Sequence, residues 1–233
     1  MPDLHFQVVT AETEPFAAGP LLRFKLRVSQ STATDAEVVP IHAVMLQCQV
    51  RIEPAQRRYG TVEQEKLLDL FDAPPRWGQT LRSMLWTHTS VAIGPFTDAI
   101  SVDLPVPCTY DFNVAVTKYF YALEDGEIPL NLLFSGTIFH EGEEGALQVA
   151  QIPWDKEAAF RLPVSVWKEM MERYYPNSAW LCLRKDVFDR LYQYKIRQGL
   201  PTWEQTLESL LPTPENTRLP TPVLRGNLEK SAS

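Results

Sequence analysis

Two stretches of the chain alternate with period two, and they constrain its fold more than anything else in it. Leu22, Phe24, Leu26 and Val28 alternate with Arg23, Lys25, Arg27 and Ser29. Val44, Leu46, Cys48, Val50 and Ile52 alternate in the same way with Gln47, Gln49, Arg51 and Glu53. Successive strand side chains point to opposite faces, so each stretch buries one face and wets the other. Further candidate strands are 4–9, 88–93, 99–104, 110–119, 129–139, 146–152 and 158–162, separated by Pro and Gly clusters as in an antiparallel sandwich.

The pattern breaks in two places. Thr61 is expected to cap a helix over 62–71, with Gln64 closing a capping box, Leu67, Leu68 and Phe71 as its apolar stripe, and Asp72-Ala-Pro-Pro as its stop. The segment 76–88 then reads as a second short helix leading into a strand. After residue 163 the period becomes helical: 164–175 carries Trp167, Met170, Met171 and Tyr174, and 186–198 is ended by Gly199. Thr202 is expected to cap a third helix over 203–211, and Trp180 to Leu183 reads as a short strand between the first two.

The expected fold class is therefore α+β: an antiparallel β-sandwich over 1–163 with a helical insertion at 61–87, and a helical C-terminal unit over 164–211 packed on it. Residues 212–233 hold four prolines and no period, and are expected to be a disordered tail.

Charge and composition exclude several functions. The 233 residues carry a net charge of -7, and the isoelectric point is about 5.2, so a general nucleic-acid binder is disfavoured. There is no apolar run long enough to span a bilayer and no export signal in MPDLHFQVV, so no membrane insertion is expected. Cys48, Cys108 and Cys182 are odd in number and far apart, which suits free thiols in a cytoplasmic protein.

Catalytic signatures are missing as well. No two of His5, His42, His88 and His140 stand at a spacing that gives zinc two ligands on one helical face, and no CxxC exists, so no metal site is expected. Phosphate cradles of either common type are absent, Ser135 lies in no GxSxG elbow, and no cofactor is expected. The most chemical-looking stretch, TIFHEGEEG at 137–145, reads as a hairpin loop whose glycines permit positive φ and whose glutamates stay in water.

What remains is surface. The basic stretch RIEPAQRRYG and the later arginines supply a candidate partner-binding set: Arg51, Arg57, Arg58, Tyr59, Trp77 and Arg82. Guanidinium groups suit acidic partners, and Tyr and Trp are enriched at interfaces. Two other readings stand beside this one. A small-molecule or carbohydrate-binding sandwich would line a concave sheet face or cleft with aromatics such as Trp77, Trp86 or Trp154. An enzyme assembled from distant strands would bring His88, His140 or Cys108 together with carboxylates.

Several long segments occur in an order that resembles a bacterial domain-of-unknown-function family, number six-zero-eight-four. They are QCQVRIEPAQRRYG, LLDLFDAPPRWGQTLRSMLWTH, VDLPVPCTYDFNVA, LFSGTIF, QIPWDKEAAFRLPVSVWKEMM and LPTWEQTLESLL. The resemblance covers roughly residues 3 to 211. Genes of that family often sit beside those of uptake nickel–iron hydrogenases. The resemblance thus implies a non-enzymatic accessory role in hydrogenase maturation or assembly, with a hydrogenase subunit or maturation factor as protein partner. It implies no catalytic residues.

Overall fold

The structure, a computed structural model, describes residues 2–30, 38–108, 114–142, 145–178, 181 and 183–211. Its chain divides into two compact units, Met1–Ala179 and Trp180–Ser233.

The first unit is built on two antiparallel sheets. In one, β1 (Leu4–Thr13) and β5 (Ala99–Pro107) flank β2 (Leu21–Gln30). In the other, β3 (Ile41–Ile52) lies between β4 (Met84–Ile93) and the long β6 (Glu127–Glu141). The far edge of β6 takes two short strands end to end. β8 (Glu157–Pro163) pairs with its first half and β7 (Leu147–Gln151) with its second.

The two alternating stretches are β2 and β3, and they bury the faces their period marks out. Leu22, Phe24, Leu26 and Val28 on one sheet and Val44, Leu46, Val50 and Ile52 on the other are fully buried in one shared apolar cluster. Burial of each such side chain is worth about 1.5–3 kcal/mol. Rings cross from sheet to sheet within it: Phe6 of β1 stacks on Phe134 of β6 at 4.4 Å, and Phe24 of β2 meets Phe160 of β8 at 5.5 Å.

Helices fill the connections. α1 (Thr61–Phe71) and a single turn, α2 (Trp77–Thr80), lie between β3 and β4. α3 (Val114–Ala122) precedes β6, and α4 (Val164–Tyr174) follows β8 directly. Trp86, Phe120 and Trp167 form an edge-to-face chain with 5.0 Å between successive rings, tying β4, α3 and α4 together. Val164, Trp167, Met170 and Met171 belong to the same core, so α4 is part of the first unit.

Three local expectations need correction. The cap of α1 is Gly60, not Thr61. Glu63 rather than Gln64 reaches back to the Gly60 N–H, at 3.2 Å, while Gln64 Nε2 donates to the Tyr59 carbonyl. The helix expected over 76–88 stops at Thr80, because from Met84 onward the chain is claimed by pairing with β3. The strand expected over 110–119 is helical from Val114. Val116, Tyr119, Phe120 and Leu123 are buried at three- and four-residue spacing, which a strand cannot place on one face. Residues 109–113, and the tail from 212, lie outside the described residues.

The second unit contains α5 (Lys185–Gln198) and α6 (Trp203–Glu208). Gly199 closes α5 in the left-handed region at φ 64°, and Thr202 Oγ1 accepts the Gln205 N–H at 3.2 Å to cap α6. Trp203 packs its ring against Phe188, 5.2 Å away. Leu181 and Leu183 belong to no strand; Trp180 and Cys182 lie outside the described residues.

Candidate functional site

The arginine-bearing segments meet at one end of the larger sheet. Arg51, next to last in β3, pairs with Leu85 and donates to Ser83, the residue after Arg82. The chain leaves β3 through a short 3-10 turn, Pro54–Gln56, and delivers Arg57, Arg58 and Tyr59 to the start of α1. Trp77 enters from α2.

These residues divide into two groups. Arg57 is drawn inside, its side chain only 8% exposed. One Nη donates to the Glu127 carbonyl at 2.9 Å; the other donates to the Asp125 carbonyl at 2.8 Å and to Glu63 Oε1 at 2.6 Å. The Glu63 carboxylate, 6% exposed, accepts two backbone N–H groups besides, from Glu124 and Gly60. A planar fork suits three acceptors arranged this way, where an ammonium would not. The turn it grips needs Gly126, whose φ is +74° and where a Cβ would stand 2.9 Å from the guanidinium.

Tyr59 and Trp77 continue this clasp. The Arg57 guanidinium lies over the Tyr59 ring at 5.6 Å, and the Trp77 ring meets it edge-on at 5.2 Å. The Tyr59 hydroxyl donates to the Pro54 carbonyl at 2.8 Å and lies 2.9 Å from that of fully buried Tyr119. Burial raises both phenols, Tyr119 to about 12. The Trp77 indole donates to the Asp72 carbonyl. All three side chains therefore hold the fold together at this end.

The second group faces solvent. Arg58 and Arg82 are exposed, and among the described residues only the Arg82 Nε is engaged, by the Gln79 carbonyl at 3.1 Å. Arg51 is half-buried and donates to Ser83 Oγ, which in turn donates to Glu53. Glu63, the residue that decides which arginine turns inward, gave no sign in the sequence beyond its place in a charged helix turn.

The residues of the distant-strand reading do not converge. His88 sits on the rung of Gln49 and Leu133, and His140 is seven residues further along β6, roughly 20 Å away. Cys108 directly follows β5, a strand of the other sheet. Its thiol is buried against the Val106 carbonyl and raised by desolvation, which disfavours the nucleophilic thiolate. Burial pushes Cys48 up to about 12 as well. His140 is buried, with Nδ1 3.0 Å from the Glu141 carbonyl. Glu143 and Glu144 lie outside the described residues, and no group of three metal-ligating side chains occurs among the described ones.

A second surface feature bears on the small-molecule or carbohydrate reading: of the three tryptophans expected to line such a face, Trp86 is buried and Trp77 half-buried in the fold, and Trp154 is exposed. The outer face of β4, β3 and β6 carries an open groove of about 680 Å³. Gln47, Gln49, His88, Ser90 and Ser135 line it, and Trp154 from the β7–β8 turn forms one wall. Period two marks each polar residue as outward, but only the strand order shows that they adjoin.

No helix among the described residues is long and apolar enough to cross a membrane. No curated protein and no solved structure matches the chain significantly. A family model does, that of a family of unknown function, DUF6084, and it covers residues 1–219, both surfaces included. The chain belongs to that family.

Proposed function

We propose that this protein is a non-enzymatic accessory protein that binds another protein through the arginine-bearing end of its larger sheet. The observation that carries this reading is the division of labour there. Arg57, Tyr59 and Trp77 immobilise the backbone, and Arg58 and Arg82 project from it into solvent. A fixed backbone spares the cost of ordering the loop on binding, leaving only that of the arginine side chains, and an acidic partner surface fits their guanidinium groups. The burial of both described thiols and the separation of His88 from His140 favour interaction over catalysis.

The partner we propose is a hydrogenase subunit or maturation factor, on the resemblance of this family to one encoded beside uptake nickel–iron hydrogenases. The two sheets, sharing one core with rings stacked between them, support a β-sandwich as the scaffold. Free buried thiols support a cytoplasmic setting. The test is affinity purification of the tagged protein from its native cell, followed by mass spectrometry. Recovery of a hydrogenase subunit or maturation factor is expected, and recovery of neither would remove that role.

A further inference from the structure

We propose that the groove on the outer face of β3, β4 and β6 is a binding site for a neutral carbohydrate, stacked on Trp154. The site is independent of the arginine-bearing surface.

Register builds the floor. Ser90, Gln47 and Ser135 stand side by side on one rung of the sheet, and His88, Gln49 and Leu133 on the next rung of the same face. Neighbouring strands lie ~4.8 Å apart and same-face rungs ~7 Å apart, so the polar floor is about the size of one or two sugar rings. None of the side chains of Gln47, Gln49, His88, Ser90 and Ser135 makes a hydrogen bond to another described residue. They offer amide donors and acceptors, hydroxyls that do both, and an imidazole, with no carboxylate, ammonium or guanidinium in the lining. A phosphate or a carboxylate ligand would find no permanent countercharge there. A polyhydroxylated neutral ligand would find both halves of each hydrogen bond.

The wall is an exposed tryptophan on a turn whose backbone is anchored to the sheet. Trp154 is 92% exposed, unusual for so large an apolar ring. Its loop is pinned to β6 on both sides: the Ile152 N–H donates to the Gly136 carbonyl at 2.9 Å, and the Phe134 N–H donates to the Lys156 carbonyl at 2.8 Å. Between them a turn closes from the Lys156 N–H to the Pro153 carbonyl at 3.3 Å. β6 thus carries the turn directly across from Ser135, and the indole stands beside the polar floor. A sugar has an apolar C–H face that covers an aromatic ring while its equatorial hydroxyls reach sideways, and this pairing of ring and amides matches it.

The test uses the full chain with three neutral probes, maltotriose, cellotriose and tri-N-acetylchitotriose. Binding is followed by intrinsic tryptophan fluorescence and by saturation-transfer NMR. Saturable binding of at least one probe is expected. Trp154→Ala should weaken it about tenfold and Gln49→Ala several-fold, while Arg82→Glu leaves it unchanged. Both residues lie on the surface, and a matching circular dichroism spectrum verifies that each variant is folded. The proposal is overturned if no probe binds saturably up to about 10 mM, or if Trp154→Ala binds as well as the parent chain. Inert probes together with a protein that protects Trp154 in a complex would assign the face to protein recognition instead.

Discussion

A single residue type, arginine, carries two unrelated jobs within two positions of sequence. Arg57 is buried in an ion pair with Glu63, and its neighbour Arg58 is exposed. Removing one member of a buried pair leaves the other desolvated and uncompensated. Arg57→Met is therefore expected to cost about 3 kcal/mol of unfolding free energy by urea denaturation; a change below about 1 kcal/mol would show the clasp to be dispensable. Alkaline pH probes the buried acids. Cys48 moves from 9.0 to about 12 and Tyr119 from 10.0 to about 12, both by burial. The unfolded chain gives up these protons first. Their stabilisation is fully present below about pH 9 and is lost as pH rises through about 12. The urea midpoint should hold steady from pH 7 to about 8.5 and fall above that; a midpoint that rose across this range would contradict the assignment.

At the scale of elements, most strands were legible because alternation is a local signal and burial follows it directly. β2 and β3 needed nothing else. α3 was misread because Val114, Val116 and Tyr119 belong to residue types at home in strands, and only the burial of Val116, Tyr119, Phe120 and Leu123 on one side reveals the helix. α2 was overextended because Trp77, Leu81, Met84 and Leu85 imitate a helical stripe, while the pairing of Met84 with Ile52 is non-local. Gly136 illustrates a constraint hidden in plain alternation. Its φ is +140°, and a Cβ there would run into the Met45 carbonyl of the paired strand. Gly136→Ala is expected to destabilise by more than about 2 kcal/mol, or to prevent soluble expression. A variant with the parent melting temperature would show that β3 and β6 do not approach this closely.

For the molecule as a whole, what sequence could not supply was adjacency. The candidate set Arg51, Arg57, Arg58, Tyr59, Trp77 and Arg82 was legible as a basic, aromatic neighbourhood. Its division into an inner clasp and an outer face depended on Glu63 and on the turn at Glu124–Gly126, some sixty residues away in sequence. The groove is legible only in its wall, where Trp154 is a candidate for an aromatic-lined face; its floor comes from three strands whose adjacency only the pairing shows. Family membership spans residues 1–219 and so includes both surfaces.

On the function proposed above, Arg58 and Arg82 form a protein-binding surface distinct from the residues that hold the fold. This is tested most directly by purifying wild type and Arg58→Glu/Arg82→Glu side by side from the native cell and quantifying the co-purifying proteins. The double variant is predicted to keep the parent melting temperature to within about 2 °C, because both side chains are exposed. It should lose at least about nine-tenths of a partner that wild type enriches, a tenfold weakening. Equal recovery of that partner by both proteins would contradict the claim.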